Sequence, residues 1–224
     1  MPNKLILIMI DGVSANYFAT CRDRLPHLAS LADRGLVVEH LHSEVLATSL
    51  PGRTSILTGV TADVSGVYAN KIWDSAIQEF RYATPYDVRV PTLPARVKRA
   101  GQDSAVLGLG MVRPEDAQIF KAPWWVAEFI QRARDPQPIT SGAGWLSVYR
   151  SRTESRFREW CSAFGYPDEW HELNGASAER LLQGAMSDLQ AMNWVGIVAS
   201  QKDAPDFIAS EYLLPDTVQH YTGY

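Results

Sequence analysis

The run Leu5-Ile6-Leu7-Ile8-Met9-Ile10 is followed directly by Asp11-Gly12. Six consecutive aliphatic residues without polar alternation are typical of a parallel strand that is covered on both faces. Ligands of open parallel sheets bind beyond the carboxyl ends of the strands. Asp11 is therefore placed to hold a metal cation. The alternative is a local turn, in which the Asp11 side chain bonds nearby backbone and Gly12 is a turn residue.

The rest of the chain alternates between the two periodicities of helices and strands. Helical spacing predicts helices over residues 25–34, 52–58, 92–100 and 176–198, the last with apolar residues at positions 181, 182, 185, 186, 189 and 192. Gly59 is predicted to end the second of these helices in a left-handed conformation. Apolar runs predict strands over residues 36–41, 104–109 and 206–214. This order predicts the α/β class, with a mostly parallel, doubly wound sheet.

Residues 111–175 are less regular and contain five of the seven tryptophans. We interpret the chain, residues 1–224, as one catalytic domain with 111–175 as a cap-like insertion. The tryptophans are expected to form the core of this cap, with stacking on a nucleobase as the alternative.

Composition excludes several classes of protein. The net charge is −4 and the basic residues are scattered, so no electrostatic footprint for a nucleic-acid polymer is present. No apolar run reaches membrane-spanning length, and the first strand is too short for the apolar part of a signal peptide. The two cysteines lack metal-type spacing and predict reduced thiols in a cytoplasmic protein, with a disulfide as the alternative.

Ser49 is the first candidate nucleophile. It precedes Pro51 at the predicted start of a helix, where unpaired backbone N–H groups favour a phosphate. Helix capping by Ser49 or Thr48 is the alternative. Arg53 follows one helical turn later on the same face and is expected either to contact a phosphate or sulfate oxygen or to be a surface arginine.

Three further residues complete the candidate set. The side-chain amide of Asn70 is suited to stabilise a developing oxyanion, or else forms a local turn. Asp216 and His220 have i, i+4 spacing after a predicted strand, which puts both side chains on one side of a helical turn. A carboxylate and an imidazole suit zinc or a similar divalent ion; the alternative for His220 is an exposed position.

These segments together resemble the nucleotide pyrophosphatase/phosphodiesterase branch of the alkaline phosphatase superfamily. The branch opens with a strand that ends in Asp-Gly, here Asp11-Gly12, and its nucleophile lies in a Thr-Phe-Pro-Asn-His-type segment, here Ser49 to Arg53. An Asn-Lys-Met-Tyr-Asp-type segment corresponds to Asn70-Lys71-Ile72-Trp73-Asp74, and a Leu-Pro-Asp-x-x-x-His segment to Leu214 through His220. Ser49 lies 38 residues after Asp11, and Asn70 lies 21 residues after Ser49, as expected of the family.

The resemblance implies a three-layer α/β/α fold and a hydrolase of phosphate diesters or pyrophosphates that uses two divalent metal ions, zinc above all. Asp11 and Ser49 would bind one ion, with Ser49 as the nucleophile, and Asp216 and His220 would bind the other. Asn70 would stabilise the transferring phosphoryl group. The implied substrate is a small phosphate ester, with a nucleotide as one form.

The chain departs from the family pattern in three ways. Serine replaces the usual threonine at Ser49, and Arg53 replaces the usual histidine, so that Ser-x-Pro-x-Arg is similar to the serine form of the sulfatase signature. The later Asp-His pair and further histidine of the family are not present in these 224 residues. We therefore expect a catalytic domain that is truncated at its C-terminus, with a missing C-terminal part or an oligomer partner covering the open sheet. The alternatives are a sulfatase, phosphonate hydrolase or phosphomonoesterase of the same superfamily, and a non-catalytic fragment.

Overall fold

The computed structural model describes residues 4–43, 47–126, 162–163, 165 and 177–222. Most of the predicted cap, residues 111–175, lies outside these ranges, as does Cys161. Cys21 lies within them and is a free thiol.

A four-stranded parallel sheet forms the centre of the described structure. Its strands are β1 (Leu5–Ile10), β4 (Ser104–Leu107), β5 (Ile119–Lys121) and β6 (Phe207–Tyr212), in the spatial order β1-β6-β4-β5. A separate antiparallel hairpin consists of β2 (Lys71–Asp74) and β3 (Glu79–Tyr82). The sheet confirms the predicted α/β class and its mostly parallel strands.

The α-helices around the sheet are α1 (Ala15–Cys21), α2 (Pro26–Arg34), α3 (Ser49–Thr58), α4 (Ala62–Ser65), α5 (Leu93–Arg99), α6 (Ser177–Ala199) and α7 (Leu214–Thr222). Short 3₁₀ turns cover Arg22–Arg24, Pro85–Asp87 and Pro114–Asp116. Gly59 ends α3 with φ of 73°, as predicted. None of the helices in the described ranges combines the length and apolarity that crossing a bilayer requires.

Side chains that alternate along the strands fill two separate cores. Val106, Phe207 and Ala209 belong to the larger core, which also contains residues of α3 and is packed by α5. Ala105, Leu107 and Ile208 point to the other face, where Val195 and Val198 of α6 cover them. Since successive side chains of a strand point to opposite faces, helices on both faces give the expected three layers.

The prediction of a strand over residues 36–41 is wrong. These residues form no strand, and Leu36 and Leu41 are 91% and 82% exposed. An apolar run forms a stable strand only when it has a partner strand and a surface to pack against. Neither is present for this run among the described residues.

Two predicted burial patterns are also wrong in the described structure. Leu5, Ile6 and Ile8 of β1 are substantially exposed, because β1 lies at the edge of the described sheet and pairs there with β6 alone. In α6, the predicted apolar face is largely solvent-exposed, whereas Asp188, Ala191 and Val198 are buried. The helix carries apolar residues nearly all round, so its periodicity does not select one face.

Candidate active site

Asp11 and Asp216 meet where two neighbouring strands end. β1 and β6 run in parallel register up to the pair Ile10 and Tyr212, and the Asp11 N–H donates to the Tyr212 carbonyl at 3.0 Å. Helix α7 starts two residues after Tyr212. The first helical turn of α7, which carries Asp216, therefore lies beside the end of β1.

Gly12 makes this close approach possible. Its φ is +80°, and a Cβ atom built on it would lie 2.6 Å from the Asp216 backbone nitrogen. The Gly12 carbonyl accepts a hydrogen bond from Gln219 Nε2 at 2.8 Å. The backbone of the Asp11-Gly12 segment is thus in direct contact with α7. The carboxyl ends of β1 and β6 thus bring together the segments that carry two of the predicted metal ligands, Asp11 and Asp216.

Ser49 is the first residue of α3. The N-cap position belongs to Thr48, which makes no side-chain capping hydrogen bond. The capping alternative is therefore wrong for Thr48, and Ser49 lies one position beyond the N-cap, within the helix. Ser49 lies instead among the N–H groups of the first helical turn, where the helix dipole favours an anion.

Arg53 is buried under the site, with 4% of its surface exposed. Its Nη2 donates to Asp11 Oδ2 at 3.0 Å, and its guanidinium forms a hydrogen-bonded ion pair with Glu211. The guanidinium also lies over the ring of Trp125, 5.1 Å from its centroid. The alternative that Arg53 is a surface arginine is wrong, and its contact with a phosphate oxygen stays a prediction.

The charge of Arg53 is stabilised by carboxylates. Burial alone works against the guanidinium charge, but Glu211, Asp11 and Asp216 outweigh it and raise the pKa of Arg53 above its ordinary value. Burial raises the pKa of Glu211, and the contact with Arg53 opposes this effect. Trp125 Nε1 gives Glu211 a second donor at 3.4 Å.

Asn70 contacts the start of α3 across a long stretch of sequence. Its Oδ1 accepts the N–H of Leu50, at 2.8 Å, and Leu50 is fully buried. The local-turn alternative is therefore wrong. Because the oxygen faces the helix, the side-chain NH₂ group is the part of Asn70 that can donate to a bound ester.

Asp216 and His220 share one side of α7. His220 Nε2 lies 3.5 Å from Asp216 Oδ1. The side chain of His220 is 76% exposed and that of Asp216 is 28% exposed. The spacing argument is confirmed, and His220 also has the exposure that its alternative predicted.

Asp188 holds α7 in place and was not among the predicted site residues. It is buried on α6, and its two carboxylate oxygens accept from the Leu214 N–H at 2.8 Å and from Trp124 Nε1 at 3.1 Å. Burial raises the pKa of Asp188, although these hydrogen bonds oppose the shift. The orientation of the turn that carries Asp216 depends on this contact.

Glu211 was missed as well, yet the sequence contains a signal for it. An acidic residue within a buried strand requires a partner, because a lone buried carboxylate is strongly unfavourable. Glu211 lies in the apolar run that predicted β6. The sequence does not indicate which cation pairs with Glu211, because Arg53 is 158 residues away in sequence.

The side chains of the candidate site are of types that bind divalent cations, but at most two such metal-binding side chains lie together in the described part of the chain. Among residues 4–43, 47–126 and 177–222, no group of three or more His, Cys, Asp or Glu side chains converges as a metal site. Asp11 Oδ1 accepts the Gly12 N–H at 3.1 Å, the kind of local contact that the turn alternative predicted, while Oδ2 contacts Arg53. Asp216 with His220 supplies an oxygen and an imidazole nitrogen, which fit zinc.

The chain belongs to the type I phosphodiesterase / nucleotide pyrophosphatase family, whose model matches residues 5–224. The predicted resemblance, including its place in the alkaline phosphatase superfamily, is thereby confirmed. Members of this family are hydrolases that depend on divalent metals, typically zinc.

Curated relatives match a shorter segment. The bis(5'-adenosyl)-triphosphatase ENPP4 of Homo sapiens is 30% identical over 79 residues, which are 35% of this chain and 17% of that protein. The Mus musculus protein of the same name is 32% identical over 76 residues, 34% of this chain and 16% of its own length.

Solved structures match almost the whole chain. Murine ectonucleotide pyrophosphatase / phosphodiesterase 5 has a TM-score of 0.52 at 14% identity, covering 97% of this chain and 45% of its own. Phosphonoacetate hydrolase from Sinorhizobium meliloti 1021, in complex with phosphonoformate, has a TM-score of 0.52 at 19% identity, covering 98% of this chain and 48% of its own. The chain thus spans about half the length of the solved structures it matches.

Proposed function

We propose that this chain contains the nucleophile, Ser49, and part of the metal ligands of a site that hydrolyses phosphate diesters or pyrophosphates of the nucleotide type. The observation that supports this most is the double attachment of the first part of α3. Arg53 ties the helix to Asp11, and Asn70 ties it to the hairpin β2–β3. Ser49 is one helical turn from Arg53, a rise of about 6 Å. The predicted nucleophile thus lies on the helix that these two contacts attach.

The chemistry is a double displacement at phosphorus. Ser49 Oγ attacks phosphorus and gives its proton to solvent, while the P–O bond to the leaving group breaks and the leaving oxygen departs with the bonding electron pair and takes up a proton from water. A water molecule then attacks phosphorus, the P–O bond to Ser49 breaks, the phosphate product leaves, and Ser49 Oγ regains a proton. The NH₂ group of Asn70 donates to an equatorial phosphoryl oxygen in both steps, a contribution of about 2.7–4 kcal/mol for such donors.

Divalent ions, with zinc as the expected metal, would be held by Asp11 with Ser49 and by Asp216 with His220. Bound there, they would supply activation of a weak alcohol nucleophile and neutralisation of the phosphate charge. The substrate class implied by the family is a small phosphate ester such as a nucleotide. The domain assignment belongs to the same proposal: residues 1–224 form one incomplete catalytic domain, with residues 111–175 as a cap-like insertion.

A diesterase assay on the full 224-residue chain tests this function. Wild-type protein, loaded with zinc, is expected to release 4-nitrophenol from bis(4-nitrophenyl) phosphate. Ser49→Ala should lower turnover at least about 1000-fold, in line with the removal of a nucleophile. Thr48→Ala removes the neighbouring hydroxyl, which makes no capping bond, and should change turnover only a few-fold. Full activity in Ser49→Ala would disprove the mechanism.

The remaining alternatives are distinguished by two additional measurements. Peptide mass spectrometry of the Ser49 segment tests the sulfatase-type route, which requires conversion of this serine to formylglycine. Absence of both zinc binding and turnover in the wild-type chain would favour a non-catalytic module.

A further inference from the structure

We propose that Arg53 and Glu211 are positioning residues that set how much of Asp11 is available to a divalent cation. This inference rests on the proposed function, because it concerns the same site. Arg53 holds one oxygen of Asp11, and Glu211 holds Arg53 from the buried side.

The exposure of Glu211, Arg53 and Asp11 shows how they are arranged from the interior to the surface. Glu211 and Arg53 have side chains only 1% and 4% exposed, whereas Asp11 is 32% exposed. Arg53 is therefore fixed to the interior through Glu211 and through the ring of Trp125. Asp11 is the outermost member and the one that solvent and ions can reach.

The two oxygens of Asp11 have different surroundings. Oδ2 receives the guanidinium at 3.0 Å, and Oδ1 accepts the Gly12 N–H at 3.1 Å. A cation bound at Oδ1 faces a fixed positive charge on the other oxygen. Like charges at such distances repel, and burial strengthens the repulsion. Arg53 thus favours binding through one oxygen and lowers the affinity of Asp11 for a metal ion.

Glu211 moderates this competition. A guanidinium shared between two carboxylates is held less strongly by each of them. Without the Glu211 charge, Arg53 would depend on Asp11 for its neutralisation and would hold it more strongly. Loss of the Glu211 charge should therefore weaken metal binding, although Glu211 itself is buried away from the ion.

Zinc titration calorimetry on the full chain provides the first test. Arg53→Met combined with Glu211→Leu replaces the buried ion pair by apolar side chains, an exchange that buried pairs often tolerate. This double variant should bind zinc at least about tenfold more tightly than wild type. Glu211→Gln should bind it several-fold more weakly. A residue with a purely structural role would not increase metal affinity when it is removed.

Thermal unfolding without metal provides the second test. Asp11→Asn should lower Tm by several degrees in the wild-type background and leave Tm unchanged in the Arg53→Met/Glu211→Leu background. Asp203→Asn, in an exposed turn, is the control and should act equally in both. Equal effects of Asp11→Asn in both backgrounds would overturn the inference.

The two proposals fail in different ways. Zinc binding that requires Asp11 but is equally tight in wild type and the double variant overturns the inference alone. Absence of zinc binding in both proteins contradicts the proposed metal site and the inference with it.

Discussion

The side-chain oxygen of Asn70 lies 2.8 Å from the backbone nitrogen of Leu50, the residue that follows Ser49. This hydrogen bond satisfies one of the backbone N–H groups that the first turn of a helix leaves unpaired. It also couples the hairpin, which begins at Lys71, to the start of α3. Asn70 is thus a structural anchor as well as a candidate catalytic donor.

The two roles of Asn70 can be separated by two substitutions. Asn70→Ala leaves the buried Leu50 N–H unpaired and should lower the free energy of unfolding by about 1–3 kcal/mol. Asn70→Asp keeps the acceptor and removes the NH₂ group, so stability should be largely retained. Turnover in Asn70→Asp should fall about 100–1000-fold if the NH₂ group stabilises an oxyanion. Urea unfolding and diesterase assays measure the two effects, and an Asn70→Asp protein with wild-type turnover would exclude the catalytic role.

Gly12 is expected to be irreplaceable because of its contact with α7. Gly12→Ala introduces a Cβ atom 2.6 Å from the Asp216 nitrogen, in backbone with φ of +80°. Gly59→Ala is the matched control, because Gly59 has φ of +73° and no atom within 4 Å of the added Cβ. Gly59→Ala should lower the free energy of unfolding only by the strain of a non-glycine residue in left-handed backbone, about 1–2 kcal/mol. Gly12→Ala should be clearly less stable than the control and bind zinc more weakly; equal stabilities of the two variants would contradict the clash.

Removal of the Asp188 carboxylate should loosen α7. Asp188→Ala leaves the half-buried Leu214 N–H and Trp124 Nε1 without their acceptor, and the loss of each hydrogen bond should lower the free energy of unfolding by about 1 kcal/mol. Asp188→Asn keeps one acceptor oxygen and should lie between wild type and the alanine variant. Thermal unfolding measures the order of stabilities, and zinc calorimetry reports whether Asp216 and His220 have moved. An alanine variant as stable as wild type would show that Asp188 does not hold α7.

Acid should destabilise the region of the hairpin through Asp87. Burial opposes ionisation of Asp87, but Arg81, which binds both carboxylate oxygens at 2.7 Å, lowers the pKa of Asp87 overall. A lowered folded-state pKa contributes stability above the unfolded value of about 3.9, and this stability is lost as pH falls through the folded-state pKa. Wild-type stability should therefore decline below about pH 4 partly through this group.

Urea unfolding between about pH 6 and pH 2.5 checks the contribution of Asp87. Asp87→Asn should be less stable at neutral pH and lose less stability on acidification than wild type. Asp203→Asn removes an exposed carboxylate without a bond to Arg81 and serves as the control. An Asp87→Asn protein with the full acid sensitivity of wild type would contradict the assignment.

The sequence predicted the elements whose apolar patterns are long and whose ends are marked. β1, α3, β4, α6 and β6 all lie where periodicity and turn residues predicted them, within a few residues at each end. The hairpin β2–β3 was not predicted, because its outward-facing Trp73 and Phe80 are aromatic and exposed and so obscure the alternation. Strand β5, Ile119–Lys121, was not separated from the irregular region because three residues carry too little pattern.

The candidate site was predicted only in part, because motifs report neighbours in sequence. Asp11, Ser49, Asn70, Asp216 and His220 were all selected from local segments and their spacing. The contacts that position them are long-range, such as Arg53 to Glu211 and Leu214 to Asp188. Local patterns contain no information on which buried carboxylate pairs with which donor. The metal and catalytic roles of these residues remain predictions.

The buried partnership of Arg53 with Glu211 constrains any attempt at redesign. Grafting the histidine-type nucleophile segment of the wider family onto α3 would remove the guanidinium and leave a carboxylate stranded in the interior. The graft would need a simultaneous neutral replacement in β6, more than 150 residues downstream. Positions 53 and 211 therefore have to be substituted together. Libraries that vary both positions should yield folded proteins far more often than libraries that vary either position alone.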